Sequence, residues 1–68
     1  MRWIATTSEN YINAKMIGSI YARKSHTDRD EIYEVVAEIL TGSTAVIARF
    51  GDPIEAGNYI YNLVQTLQ

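Results

Sequence analysis

The apolar positions in the C-terminal third of the chain recur with the period of an α-helix. They form a stripe of Ala56, Ile60, Leu63, Val64 and Leu67. Spacings of three and four residues place such side chains on one face of a helix. Asp52, Pro53 and Glu55 occupy the positions of an N-cap, a first-turn proline and a capping-box acid. The pattern therefore predicts an amphipathic helix that begins at Pro53, with Asp52 accepting the amide of Glu55.

Gly57 and two tyrosines lie beside this stripe. A glycine inside a helix costs about 1 kcal/mol relative to alanine. Gly57 therefore predicts that a backbone or a bulky ring approaches the helix closely, and Trp3 and Tyr21 are the candidate rings. Tyr59 and Tyr61 lie about 100° to either side of the stripe residue between them, so we expect them to be at best partly buried.

The segment 32–40 fits both the helical and the extended period. The strand is favoured because a two-residue turn at Thr41-Gly42 would pair this segment with residues 44–50 and sort both faces of the hairpin. The predicted cross-strand pairs are Tyr33–Phe50, Glu34–Arg49, Val35–Ala48, Val36–Ile47, Ala37–Val46, Glu38–Ala45 and Ile39–Thr44. A helix over 32–40 remains the alternative, and it would give the element order ββαβα.

This register divides the hairpin into an inward and an outward face. The inward face, which we expect to receive the helix stripe, consists of Val35, Ala37, Val46, Ala48 and Phe50. On the outward face Val36 would lie beside Ile47, turned away from the helix. An exposed apolar centre on an uncovered sheet face indicates a partner or self-association.

The N-terminal residues predict a second hairpin. β-Branched and aromatic residues over 2–7 favour a strand, Ser8-Glu9-Asn10 supplies turn chemistry, and Tyr11-Ile12 resumes the extended pattern. Residues 13–17 fit a single helical turn or an irregular link equally well, and Gly18 is expected to end that link.

Residues 19–24 alternate as a short strand, and residues 24–31 hold six titratable side chains and no large apolar one. The second of these segments predicts a solvated loop. The whole chain then predicts a single α+β domain over residues 1–68. Its expected fold is a small curved antiparallel sheet of four or five strands, packed on one C-terminal helix.

Composition changes this picture only by exclusion. The chain has 68 residues, 47% of them hydrophobic, a formal net charge of -2 and no cysteine. Disulfides and thiolate metal sites are therefore excluded, and a small core of this size makes self-association a sensible route to stability. The charge gives no general attraction to nucleic acid or to anionic membranes. No long apolar run or leader-like segment is found, so we expect a cytoplasmic protein.

The candidate reactive chemistry is sparse. His26, Asp28, Asp30 and Glu31 cluster in the predicted loop, but their spacing matches no metal-binding motif. With one histidine and no cysteine, the chain also lacks an evident nucleophile and base pair. We therefore expect neither an enzyme nor a bound metal or cofactor.

Two functional hypotheses follow from the remaining side chains. The first is a non-catalytic protein-interaction module, which is suggested by five tyrosines in a chain of 68 residues without reactive groups. Tyrosines that only cover a small core are the alternative explanation. Its contact residues would be Tyr59, Tyr61, Val36 and Ile47, and a homodimer is expected because tyrosine is enriched in interface cores.

The second hypothesis is a nucleic-acid-binding accessory protein. Tyr21, Arg23, Lys24 and Arg29 place an aromatic ring beside basic charge, as in proteins that bind single strands. Asp28, Asp30 and Glu31 lie in the same region and offset that charge, so this hypothesis ranks second.

The order of features also carries a resemblance. Tyr11-Ile12-Asn13, Tyr33-Glu34-Val35-Val36-Ala37, the Thr41-Gly42 turn, Glu55-Ala56 and Tyr59 follow one another along the chain. In this order the chain resembles small uncharacterised bacterial and phage-encoded proteins that pair a curved antiparallel sheet with one C-terminal helix. The resemblance implies that fold and a prophage or mobile-element origin. It implies no catalytic or binding residue.

Overall fold

The computed structural model describes residues 2–26 and 30–67, which form an α+β fold. In chain order the elements are β1 (Trp3–Ala5), β2 (Tyr11–Asn13), a 3₁₀ turn (Ala14–Met16), β3 (Ile17–His26), β4 (Glu31–Ile39), β5 (Thr44–Phe50) and α1 (Pro53–Leu67). Within the described residues the strands make two antiparallel sheets, β1-β2 and β3-β4-β5. The expectation of a single sheet of four or five strands is therefore wrong, while the α+β class with a C-terminal helix is confirmed.

The N-terminal hairpin forms a sheet of its own and is hydrogen-bonded to the larger sheet through Thr7. The side-chain oxygen of Thr6 accepts the amides of Ser8 and Asn10 and so closes the hairpin turn. Thr7 donates both its amide and its hydroxyl to one carbonyl of β5, that of Val46. Ile4 and Ile12 pair across the hairpin and are buried against the core of the molecule. Apolar packing thus holds the two sheets together.

Residues 32–39 lie in β4 and Leu40 begins the turn that follows it, so the helical alternative for the segment 32–40 is wrong. β4 is the central strand of the larger sheet, and pairing with both neighbours outweighs the helical spacing of its apolar residues. β3 is longer than the predicted strand, and its ladder with β4 runs out to His26 and Glu31. The prediction of a loop is therefore wrong for residues 24–26 and for Glu31, which lie in strands. Residues 27–29 lie outside the described residues.

Gly18 lies inside β3 rather than ending the link before it. The β3–β4 register shifts between Ile17 and Ser19, so Gly18 sits at a bulge. A Cβ atom at this glycine would lie 3.1 Å from Cδ2 of Leu40. A glycine at this position therefore accommodates the close approach of the loop that follows β4.

The β4–β5 register agrees with the prediction over only half of its length. Tyr33, Glu34 and Val35 pair with Phe50, Arg49 and Ala48 as expected. Beyond that point a bulge shifts the pairs to Val36–Val46, Ala37–Ala45 and Glu38–Thr44, and Ile47 is the extra residue. A bulge places two residues of one strand opposite one residue of its partner.

The shift arises because the connection is longer than the predicted two-residue turn. The amide of Ile39 donates to Ser43, and the amide of Gly42 donates back to Ile39. Gly42 has a φ of 100°, a left-handed conformation that glycine adopts without steric cost. Residues 40–43 thus separate the strands, and the bulge at Ile47 restores the predicted pairing beyond it.

Helix α1 begins at Pro53, as predicted, and packs across all three strands of the larger sheet. Asp52 caps it by accepting the amide of Ile54 at 2.9 Å, one residue earlier than expected. Ala56 is fully buried against the sheet. The other helix residues that pack on the core are Tyr59, Ile60, Leu63 and Leu67. Val64, the remaining residue of the predicted stripe, is half-buried.

Candidate protein-interaction surface

The outward face of the larger sheet does not present the predicted apolar pair. Val36 lies on this face between Tyr21 and Val46, yet none of its surface is exposed. Ile47 is 6% exposed and belongs to the inner core, because the bulge changes the direction of its side chain. The prediction that Val36 and Ile47 form an exposed contact is therefore wrong.

An ion-pair ladder crosses this outward face beside Val36. The carboxylate of Glu34, on the central strand, accepts from Arg23 Nη2 at 2.9 Å and from Arg49 Nε at 3.2 Å. The Glu34 side chain is 12% exposed, whereas both arginine side chains are 50% exposed. The hydrogen bond from Arg23, reinforced by Arg49, lowers the pKa of Glu34 below its ordinary value of 4.5. The aliphatic stems of long charged residues can cover apolar surface, so the ladder offers a cover for Val36.

The lowered pKa of Glu34 makes an acid-dependent contribution to stability. A carboxylate whose pKa is lower in the folded than in the unfolded state stabilises the fold at pH values above its unfolded-state pKa. This stabilisation is lost as the pH falls through the folded-state pKa. Glu34→Gln should therefore lower the free energy of unfolding by roughly 0.5–1 kcal/mol at pH 7. This value is small because solvent screens the half-exposed arginines. As the pH falls below about 4.5, the stability of the Glu34→Gln variant should also decrease less than that of the wild type. Urea unfolding at a series of pH values measures both effects.

Glu38→Gln is the matched control, because it removes the same charge from the same face of β4. Glu38 pairs across the sheet with Ser19 and Thr44. Parallel curves of stability against pH for the two variants would contradict the role given to Glu34.

The residues of the nucleic-acid hypothesis do not share one surface. Tyr21 and Arg23 are paired with residues of the outward face, whereas Lys24 pairs with Tyr33 on the side that faces the core. Arg23 is bonded to Glu34, and Lys24 lies 3.1 Å from the carboxylate of Glu31. Arg29 lies outside the described residues. Nucleic-acid binding stays a prediction, and the described geometry adds no support to it.

The predicted acidic and basic loop begins and ends in strands, since His26 lies in β3 and Glu31 in β4. His26 pairs with Glu31 at the last rung of the β3–β4 ladder, and Asp28 lies outside the described residues. Among the described residues, no three histidine or acidic side chains are grouped so that they could hold a metal ion. Over residues 2–26 and 30–67, no helix is long and apolar enough to span a membrane.

A cleft that the sequence pattern did not predict lies between the N-terminal hairpin and β5. Its polar wall residues are Thr6, Thr7, Ser8, Asn10, Thr44 and Arg49, and its apolar ones are Ile12, Ile39, Ala45 and Val46. The Nε of Arg49 is already bonded to Glu34. The cleft therefore offers hydrogen bonds without an evident reactive group.

Tyr59 and Tyr61 have different environments, although they flank the same stripe residue. The Tyr59 ring packs on Phe50, with the ring centroids 5.3 Å apart and the planes inclined at 51°. Tyr59 is therefore half-buried and contributes to the core. Tyr61 is 65% exposed. Both agree with the expectation of at best partial burial, and Tyr61 offers the larger contact surface.

Tyr61 belongs to a surface that we call the outer helix face, formed by Ile54, Gly57, Asn58 and Tyr61. These residues follow at spacings of three, four and seven, so they lie on one side of α1. Ile54 is 70% exposed, and a Cβ atom built on Gly57 would meet none of the described neighbours within 4 Å. The expectation that Trp3, Tyr21 or a backbone packs closely on Gly57 is therefore wrong. Nothing described in this chain requires a glycine there.

The outer helix face also lacks charge. Glu55 is the only charged residue of α1, and it lies in the first turn. An exposed helix face of a monomer usually carries charged and polar side chains. Interface cores differ from other protein surface in being depleted of charge and enriched in tyrosine. The outer helix face has both of these properties.

Two further exposed aromatic side chains lie on the N-terminal hairpin. Trp3 is 56% exposed and Tyr11 is 69% exposed. They alternate along β1 and β2 with Ile4 and Ile12, whose side chains are buried. The alternation of side chains in these two short strands could have predicted this exposure, because it places Trp3 and Tyr11 on the face opposite Ile4 and Ile12.

Comparisons with protein-family models, with curated proteins and with solved structures find no match to this chain. The resemblance to small bacterial and phage-encoded proteins, and the mobile-element origin that it implies, stay predictions.

Proposed function

We propose that this chain is a non-catalytic protein-interaction module that docks a protein through the outer helix face. The single observation that carries the proposal is the combination of Tyr61 and Ile54, both about two-thirds exposed, on a helix face without charge. Exposed apolar and aromatic groups of this kind gain most from burial against a protein.

The shape of the surface favours a protein over a small molecule. Small ligands bind in concave sites that bury most of their surface, whereas the side of a regular helix is convex. A helix face is typically recognised by a groove or by another helix, and its anchors recur at spacings of three, four and seven residues. Ile54 and Tyr61 have the spacing of seven.

The proposal replaces part of the predicted contact set. Val36 and Ile47 are not part of it, because both are buried. Tyr59 has a structural role against Phe50, so its truncation would mix a loss of stability with a loss of binding. Tyr61 is the residue whose removal tests the surface alone.

Tyr61→Ala should weaken partner binding strongly while the protein stays folded. Alanine has a higher helix propensity than tyrosine, and the position is exposed, so folding should not suffer. Tagged wild type and variant can be compared by quantitative mass spectrometry of proteins retained from a lysate of the source cells, alongside light scattering of each purified protein. We expect the retained partner, or the self-association, to fall at least about tenfold, as for a hot-spot tyrosine.

Tyr11→Ala is the matched control, because it removes an equally exposed tyrosine from the N-terminal hairpin. It should retain wild-type binding. Equal retention by the two variants, or an equal loss in both, would show that the outer helix face is not the specific contact.

A further inference from the structure

We infer that the partner of the outer helix face is a second copy of this chain, bound as a symmetric antiparallel pair of α1 helices that cross at Gly57. This inference rests on the proposed function and adds the identity and geometry of the occupant. It follows from three features of the face, namely its missing charge, its open glycine and the arrangement of its two large side chains.

Charge is the first reason to choose a second copy. In a two-fold dimer each surface meets itself, so any net charge on that surface is placed opposite the same charge. The outer helix face has no charged residue, and Glu55 is the only one on α1. An antiparallel arrangement also places the positive end of each helix dipole near the negative end of the other. The face is therefore compatible with itself.

Gly57 is the second reason. A glycine in an exposed helix interior weakens the helix, and no neighbour among residues 2–26 and 30–67 lies within 4 Å of the place where its Cβ atom would be. Small residues at a helix crossing allow two backbones to approach closely. A partner helix packed on Gly57 would make use of the space that the isolated chain leaves open.

The arrangement of Ile54 and Tyr61 is the third reason. A two-fold axis between Gly57 and Asn58 relates residues that are equally distant from it in opposite directions. Ile54 and Tyr61 are such a pair, so Ile54 of each copy would pack beside Tyr61 of the other, and Gly57 beside Asn58. One register thus covers both exposed side chains twice.

The size of the contact predicts a weak and reversible dimer. A helix of 15 residues is about 22 Å long. One such helix pair buries less than the roughly 1,200 Å² typical of stable specific complexes. We expect a dissociation constant of roughly 10 µM to 1 mM, and hence a monomer at high dilution.

Gly57→Ala should separate folding from association. Alanine strengthens the helix, so the urea midpoint should rise, whereas the added methyl group at the crossing should weaken dimerisation about tenfold or more. Sedimentation equilibrium of the full chain over a range up to about 1 mM measures the second effect. Gly51→Ala is the control, since a Cβ atom there also meets open space but lies outside α1. It should leave dimerisation unchanged.

Cysteine cross-linking tests the geometry independently, because the chain contains no cysteine. Asn58→Cys places one thiol of each copy next to the axis, so oxidation should form a disulfide dimer. Gln65→Cys places the two thiols about 22 Å apart along the paired helices, beyond the reach of a disulfide. We expect Asn58→Cys to cross-link at least about tenfold faster.

Equal cross-linking of the two cysteine variants would overturn the inference, as would a dimer that Gly57→Ala leaves intact or strengthens. A wild-type chain that stays monomeric over the whole range would overturn it as well. If Tyr61 were still required to retain another protein, the proposed interaction function would nevertheless stand. The two proposals therefore fail on different measurements.

Discussion

Ile47→Ala should remove about 2–5 kcal/mol from the free energy of unfolding, the range found for truncating buried isoleucine and leucine side chains. Ile47 is 6% exposed and packs in the same core cluster as Val35 and Ala56, between the sheet and the helix. A domain of 68 residues has a total stability of roughly 3–10 kcal/mol. The substitution should therefore leave a marginally folded or unfolded protein.

Ile54→Ala is the matched control, because it makes the same chemical change at a side chain that is 70% exposed. Its effect on folding should stay within about 0.5 kcal/mol. Both variants should be unfolded with urea at low protein concentration, so that association through the outer helix face does not contribute. Similar losses from the two variants would contradict the inward placement of Ile47, which depends on the bulge.

The elements that could be predicted are those specified by local chemistry. Asp52 and Pro53 define the start of α1 without reference to any other part of the chain. The turn at Ser8-Glu9-Asn10 is likewise closed by its own hydrogen bonds to Thr6. Such signals survive in the fold because distant residues do not compete with them.

The register of β4 and β5 could be predicted only in part, for a geometric reason. Alternation assigns residues to faces correctly as long as each residue of one strand opposes one residue of the other. The longer connection at residues 40–43 shifts the pairs next to the turn, and the extra residue Ile47 ends this shift, so the one-to-one opposition fails between them. Counting from Thr41-Gly42 therefore placed Ile47 on the wrong face, although it paired Tyr33 with Phe50 correctly.

The candidate site was likewise predictable only where it depends on local sequence. Helical spacing predicted that Tyr59 and Tyr61 flank the buried stripe, and both do. It could not distinguish them, because the rotation of α1 about its own axis depends on what lies beneath. Phe50 at the end of β5 supplies the ring on which Tyr59 packs, and this leaves Tyr61 exposed. The sequence marks Gly57 as unusual for a helix interior, but only the structure shows that none of the described neighbours lies within 4 Å of the place of its Cβ atom.

Val36 shows that a residue on an uncovered sheet face can still be part of the core. Among the described elements no helix packs on the outward face, yet Val36 is fully buried on the central strand, flanked by Tyr21 and Val46. Glu34, two residues earlier on the same strand, is bonded to Arg23 and Arg49 on the same face. The three-stranded sheet thus has a fully buried apolar side chain on each of its faces.

Val36→Ala should accordingly cost about 2–3 kcal/mol, because it removes two buried methyl groups worth roughly 0.8 kcal/mol each and leaves a cavity. Val46→Ala is the matched control, since Val46 is the direct cross-strand partner of Val36 and is half-buried. It should cost about half as much. Urea unfolding monitored by circular dichroism measures both losses. If Val36→Ala were the milder of the two substitutions, the outward face would be open to solvent, and the original expectation of an exposed apolar centre there would be restored.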